Sequence, residues 1–543
     1  MNLPSIIKSV SKKEWWWLIA LTLFLIIITS IPVVWGIINA PSGYKISGLH
    51  SLASADTNVY LSYINQVKSG QVLLYNHFTT EPQTIGTLNL AWLEIGLIAK
   101  IFNLEAVTAF QVSRVLAIPL LILVSYLFIA RIFSSPKKRL ITIMLLSLGS
   151  GVGAYFNTIA YSVGVNYERA LDLWMPEINI FNSLFHVPHF TLATTAILAT
   201  FLLFLRGIET DKLRFSLGAG LTALLLFNFH PYHLPLIYLA PLAYLLILLL
   251  DKKMTWRQAL KHYAALILLS LPSIIYHFYT LSDSVIGARA TQNITPNSGL
   301  FFIIIGLGFF LIGGALGTVR YFKEPATKSP RQLFLIIWVI VSLLVSGLSA
   351  WQFGRRSLHG ITIPLTILTV EYLAYLGRWL KDSPYFMVMK EPVVIIALAL
   401  TLLCPTSLFN LVRDIQLYSE SHPTFYLSGA QLESFDFLSH LPPGAIITNQ
   451  LSASFIVGNT NKTVFLGHSH ETIDSAYKLG LLKKFFQKTT PPEWRQWLIK
   501  EYNLTYLYWS TLDQQVYPDF IPESLGVEKL FQNNEIEIFK FKN

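Results

Sequence analysis

Apolar runs about as long as a bilayer is thick recur from one end of this chain to beyond residue 400, and no other feature limits its fold so strongly. A helix rising ~1.5 Å per residue needs roughly 20 such residues to cross a ~30 Å hydrocarbon core. Lipid offers backbone N–H and C=O groups no partner, so the runs must satisfy their own backbone as helices. Eleven crossings are expected, at about 15–37, 107–130, 140–163, 189–205, 215–230, 234–250, 262–280, 300–319, 332–350, 361–377 and 393–412. Apolar residues are 53% of the 543 and charged residues only 13%, which excludes an ordinary soluble globule. The first run follows Lys8, Lys12 and Lys13, exceeds 20 residues and lacks a small-residue cleavage pattern, so it reads as a retained anchor. A shorter run at 88–102 carries Glu94 and Lys100 and is expected to lie along the interface.

The net charge of +10 matters less than where the cations fall. With eleven crossings, 21 Lys and Arg lie on the amino-terminal side, against eight on the opposite side before residue 413. Basic loops stay in the cytoplasm. The expectation is therefore a plasma (inner) membrane protein with a cytoplasmic N-terminus and an extracytoplasmic C-terminal part. That distribution also accounts for the positive charge without nucleic acid. Twelve of the 13 histidines fall on the outer side or at outer helix ends.

Two regions follow: a multi-span membrane domain at 1–412 with a large first outer loop at 38–88, and an extracytoplasmic α/β domain at 413–543. In the second, AIITN, KTVFLG, LTYLYWS and EIEIFKF read as strands, and ETIDSAYKLGLLKKFF and PPEWRQWLIKEY as helices. The fold class is thus a polytopic α-helical membrane protein of about 11 transmembrane helices with a C-terminal α/β domain.

No GxxxxGK[ST] loop is present, and the cytoplasmic connections are too short for a nucleotide-binding domain. Gly149, Gly151 and Gly153 lie within a span, where close helix packing explains them. An activated donor would have to be reachable from the outer leaflet, which favours one carried on a lipid. Polar residues collect in four outer clusters. Asp56 stands with His50, His77 and Glu81; Glu168, Asp172, Glu177, His186 and His189 share one loop; Asn228, His230 and His233 occupy a proline-broken corner; and Arg355, Arg356 and His359 follow a span ending at Trp351.

Each cluster has a plainer reading. Asp56 precedes a helical pattern and could cap it; the histidines could punctuate helix ends; the arginines could bind anionic head groups. A phosphate also fits the forked donors of two adjacent arginines. The HxxH spacings at 186–189 and 230–233 leave a metal open. His468, His470 and Glu471 in LGHSHETIDSAYKLG fit a capped strand-to-helix turn.

The arrangement resembles the GT-C superfamily of membrane glycosyltransferases, which includes the protein mannosyltransferases and the aminoarabinose transferase of lipid A. The residues that carry the likeness are ASADTNVYLSYINQVKSG just beyond span one, two interfacial helices in that loop, and the segments HVPHF, HPYH and GRRSLHG. The resemblance implies an enzyme that uses a polyprenyl-phosphate sugar donor. It implies that Asp56 is the catalytic base and that the outer arginines contact the lipid phosphate. Many members carry a paired acidic motif here, whereas Asp56 is flanked by Ala55 and Thr57, so dependence on a divalent metal stays open.

The chemistry agrees with the resemblance. A sugar leaving a polyprenyl phosphate departs on a stable anion, so one carboxylate base and cations on the phosphate would suffice, where a glycosidase needs two carboxylates. The expected reaction is an inverting single displacement by a hexosyl- or pentosyltransferase onto a glycan, lipid or protein acceptor. Asp56 would be the base, Arg355, Arg356 and His359 would bind the phosphate of the lipid carrier, and His186, His189, His230, His233, Glu177 and Glu81 would support them. Two other readings remain: a transporter or flippase of a lipid-linked substrate, and a non-catalytic envelope-binding relative.

Overall fold

Among the described residues, nine helices are long and apolar enough to cross a membrane, the first Lys12–Ile38 and the last Gly354–Arg378. The computed structural model describes residues 3–52, 54–164, 170–324, 329–348, 352–379 and 392–542; Glu168 and Trp351 lie outside them. Two of the expected crossings are not among these nine. The segment at 215–230 is present as the shorter apolar helix Leu213–Phe229, 17 residues long, followed by Pro231. The segment at 393–412 falls on two helices, Pro392–Leu403 and Pro405–Ser419, divided at Cys404. There Pro405, which has no N–H to give the preceding turn, divides the apolar run.

The chain folds into two units. The first comprises Met1–Pro32, Val112–Ile275 and Thr295–Gln416. Its interior is aliphatic and aromatic, with Phe201 and Trp338 in edge contact at 4.8 Å. Buried cations are held by polar partners, as an apolar surrounding requires. The fully buried Arg114 donates to Thr29 Oγ1 at 2.8 Å, Ser30 Oγ at 3.0 Å and the Leu184 carbonyl at 3.1 Å.

The expected span at 140–163 is two helices, Pro136–Leu148 and Gly153–Ser162, with the break at the glycines. Backbone replaces side chain there: a Cβ on Gly151 would lie 2.3 Å from the Gly306 carbonyl oxygen, and Val152 N–H donates to the Ile305 carbonyl at 3.0 Å. Gly308, opposite, has φ +53°, a left-handed value that suits glycine. The glycines therefore serve close packing, through a broken helix rather than a straight one.

The second unit comprises Val33–Gln111, Tyr276–Ile294 and Leu417–Asn543. Strand β1 (Tyr44–Ile46) pairs antiparallel with β2 (Tyr426–Ser428), joining the loop after the first span to the chain after the last. The main sheet is formed by β3 (Ala445–Ile447), β4 (Thr463–Val464), β5 (Leu504–Ser510), β6 (Glu528–Gln532) and β7 (Ile536–Lys540), in the order β4-β3-β5-β7-β6. Strands β4, β3 and β5 run parallel, and β5-β7 and β7-β6 antiparallel. The four expected strands are present, with LTYLYWS spanning all of β5; β6 and the helices Gly429–His440 and Gln450–Asn459 are additional.

Val59 and Phe78 of the first loop share a core with Ile446, Val464, Tyr506, Tyr508 and Ile538 of the sheet strands. The buried Asp513 ties the ends of β3 and β5, accepting from Asn449 N–H and Ser510 N–H, each at 2.9 Å.

Candidate functional site

Asp56 is the third residue of the helix Ser54–Lys68, in the first turn, where the helix dipole favours a carboxylate. The face carrying Val59 and Ile64 is buried, and Tyr60 stacks on Trp92 of the helix Leu90–Ile101 at 4.6 Å between ring centroids. Gly96 allows the two helices to approach, since a Cβ there would sit 2.3 Å from Val67 Cβ. The Asp56 carboxylate is left 42% exposed, and its Oδ1 lies 3.2 Å from Nε2 of the buried His468.

Residues 76–81 run alongside the same C-terminal stretch. Asn76 Nδ2 donates to the Glu471 carbonyl at 2.7 Å, and Glu81 pairs at 2.8 Å with the buried Lys478 ammonium, whose pKa burial lowers against the opposing pull of Glu81. Nδ1 of His77 is 3.2 Å from Thr463 Oγ1, and burial pushes this imidazole down to about 4, so it is neutral at physiological pH.

A third piece of chain completes this neighbourhood. Asp283 caps the helix Ser284–Gln292 through Val285 N–H at 2.9 Å and Ile286 N–H at 3.1 Å. Its other oxygen accepts from Thr84 N–H and Oγ1, both at 2.7 Å, and from Ile85 N–H at 3.0 Å. From this helix Arg289 reaches Tyr63 Oη at 3.0 Å and Glu471 at 2.9 Å. Gln292 donates to the His470 and Thr472 carbonyls at 2.9 and 2.8 Å.

Burial alone would raise the Asp283 pKa, but the hydrogen bonds from Thr84, Ile85 and Ile286 outweigh it and hold the carboxyl at about 2. The folded value is depressed, so the stabilisation is present above the ordinary aspartate value of ~3.9 and is lost as pH falls toward 2. Hydrogen exchange at residues 84–85 and 284–292 is expected to accelerate only below about pH 4 in the wild type. In Asp283→Asn it should be fast already at neutral pH; unchanged protection in the variant would refute this account of the anchor.

The histidines of the first unit form a separate cluster. Nδ1 of His359 lies 3.0 Å from Nε2 of His233, and its Nε2 lies 2.7 Å from Thr194 Oγ1. The rings of His189 and His230 stack at 5.1 Å, and those of His230 and His233 at 5.4 Å. Arg356 forms an ion pair with Glu177, which is buried, and its guanidinium lies over Phe190 at 5.4 Å and Tyr232 at 5.8 Å. The Arg355 guanidinium covers Trp174 at 4.4 Å.

Of the expected site residues, the structure therefore brings together Glu177, His189, His230, His233, Arg356 and His359 in one unit. His186 stands elsewhere in that unit, 3.9 Å from Asp414 and against the Phe185 ring. Asp56 and Glu81 belong to the other unit, each facing a residue of the C-terminal stretch. His468, Lys478 and Arg289 were not among the expected site residues; the one local signal was the HSHE sequence at 468–471. Among the described residues no three His, Cys, Asp or Glu side chains converge in a way that could hold a metal ion.

No protein-family model matches this chain, and no curated protein matches it in sequence. Solved structures do. One is the archaeal oligosaccharyltransferase AglB from Archaeoglobus fulgidus in complex with an inhibitory peptide and a dolichol-phosphate, with TM-score 0.54, 12% identity, and 93% of this chain and 70% of that one covered. Another is the Archaeoglobus fulgidus oligosaccharyltransferase tethered by a disulfide bond to an acceptor peptide containing the NVT sequon, with TM-score 0.52, 11% identity and coverage of 98% and 74%. ArnT from Cupriavidus metallidurans bound to undecaprenyl phosphate has TM-score 0.49, 12% identity and coverage of 96% and 98%. At these identities the likeness is one of fold. The chain is an integral membrane protein with the fold of the GT-C glycosyltransferases.

Proposed function

We propose that this protein is a glycosyltransferase that moves a hexose or pentose from a polyprenyl-phosphate carrier to an acceptor hydroxyl at the outer face of the membrane. The observation that carries the reading is the position of Asp56: a carboxylate just past the first span, in the first turn of a packed helix, half exposed and set against a buried imidazole. It can receive a proton and is held in place to do so. The dolichol-phosphate in the AglB complex supports a lipid-phosphate carrier.

In the proposed step the acceptor oxygen bonds to the anomeric carbon as the bond from that carbon to the phosphate oxygen breaks. The electron pair leaves with the phosphate, the acceptor proton passes to Asp56, and the configuration inverts. Arg355 and Arg356 hold the phosphate as its charge develops. The aromatic rings beneath them fix the guanidinium planes, so the donors are oriented before substrate arrives. Both nitrogens of His359 face protein groups, which gives this residue a positioning role through His233 and Thr194.

The test uses full-length protein in liposomes with a membrane lipid extract as acceptor and polyprenyl-phosphate hexoses and pentoses labelled in the sugar. Expected is transfer of label off the carrier with release of polyprenyl phosphate. Movement of the intact labelled carrier between leaflets without cleavage would replace this reading with that of a lipid-carrier transporter.

A further inference from the structure

We propose that His468 is a positioning residue for Asp56, holding the carboxylate through a ring tautomer that its own turn dictates. The inference rests on the proposed role of Asp56 as base. Three observations carry it. First, Nδ1 of His468 accepts from the backbone N–H groups of His470 and Glu471, both at 3.1 Å. A nitrogen that accepts two N–H donors carries no hydrogen, so in the neutral ring the hydrogen sits on Nε2. Second, Nε2 is the atom that lies 3.2 Å from Asp56 Oδ1. Third, the ring is buried, with Phe78 edge-on at 5.9 Å and Thr472 Oγ1 accepting from the backbone N–H groups of Gly467 at 3.1 Å and His468 at 3.2 Å. The ring therefore cannot easily turn its other nitrogen toward the carboxylate.

A strand-to-helix turn needs only the Nδ1 half of this arrangement. Asparagine caps such turns with one short side-chain oxygen. A ring whose far nitrogen reaches a carboxylate on a helix from the other end of the chain does more than cap. The N–H faces one carboxylate oxygen at 3.2 Å, and a donor so placed favours the charged form of a carboxylate and aims it. The other charged groups near the ring are Glu471, whose carboxylate pairs with Arg289, and His470, whose ring lies 6.0 Å away. These set the background against which a shift in the Asp56 titration is read.

Two substitutions separate the two halves of the ring. In His468→Asn the amide oxygen can still accept from the 470 and 471 N–H groups, but the side chain is too short to reach Asp56. In His468→Gln the longer amide can place an N–H near the Nε2 position while the turn loses its acceptor. Transfer is measured with the labelled polyprenyl-phosphate hexoses and pentoses, alongside thermal unfolding and hydrogen exchange over 467–474.

Expected for His468→Asn is intact folding, kcat lowered roughly ten- to a hundred-fold as for loss of one hydrogen bond to a charged group, unchanged donor KM, and an acid limb of kcat/KM moved to higher pH. His468→Gln should recover part of the rate and return the limb toward its wild-type position. Normal rates and an unmoved limb in His468→Asn, with the loss confined to His468→Gln, would mean the ring only caps the turn and would overturn the proposal. Equal loss in both with no movement of the limb would overturn it as well. Asp56→Asn keeps the failures apart. If that variant stays active, the base assignment falls; if it is inactive while His468→Asn is normal, only this inference falls.

Discussion

Asp56→Asn is expected to lower polyprenyl phosphate release ~10²- to 10⁴-fold, the usual contribution of a positioned general base, while the donor KM changes little. The amide is nearly the same size and can still accept from His468 Nε2, but it cannot take the acceptor proton. The amide oxygen keeps a partner for the buried His468, and the side chain at 56 is itself 42% exposed, so the unfolding midpoint should move little. A fall in kcat and kcat/KM together, with KM constant, is the signature of an interaction made in the transition state. Asp56→Glu moves the carboxylate by about one methylene and should retain only part of the rate, because misplacement by ~1 Å can cost ~10²-fold. Single-turnover release of polyprenyl phosphate from the labelled donor gives the chemical step directly. Full activity in Asp56→Asn would remove the central assignment.

Arg356 should give the second large effect, on binding and stability together. Its partner Glu177 is only 1% exposed, so Arg356→Ala leaves a carboxylate buried without its cation. Breaking one side of such a pair typically costs ~3–5 kcal/mol, because the remaining charge keeps its desolvation penalty. Two further variants separate that cost from ligand recognition. In Arg356→Ala/Glu177→Gln the buried charge is gone, and much of the stability should return while donor affinity does not. Arg356→Lys keeps a cation beside Glu177 but loses the planar fork and its contacts with the faces of Phe190 and Tyr232. It should fold normally and raise the donor KM roughly tenfold or more, the scale of one charge-assisted hydrogen bond. Thermal unfolding in detergent and donor titration in liposomes are the measurements. Wild-type donor KM in Arg356→Lys, together with stability loss in Arg356→Ala, would make the pair structural and move the phosphate site away from Arg356.

The long apolar runs located the membrane helices because crossing lipid is a local constraint: each segment must satisfy its own backbone, so its length and composition suffice to find it. LTYLYWS was equally legible as β5, since aromatic and β-branched residues in a short run suit a buried strand. The breaks were harder. Whether a glycine-containing run such as 140–163 stays one helix depends on what packs against it, and the Ile305 and Gly306 carbonyls that replace side chains at Gly151 come from a distant helix. The sequence Glu528–Gln532 gave no clear strand signal by itself; its pairing partner β7 makes it one.

By itself the sequence determined the helical membrane class, the carboxylate at the start of the first loop's helix, and the paired arginines, because spans, helix starts and charge placement are written over neighbouring residues. Only the tertiary structure decided what faces those groups. It set His468 against Asp56, Lys478 against Glu81, and Glu177 against Arg356, and it brought Tyr276–Ile294 into the unit that holds Asp56. These partners lie far apart along the chain, and no local pattern encodes a contact made by long-range packing. HSHE at 468–471 carries the sequence of a turn; the fold alone turns its first histidine toward the carboxylate.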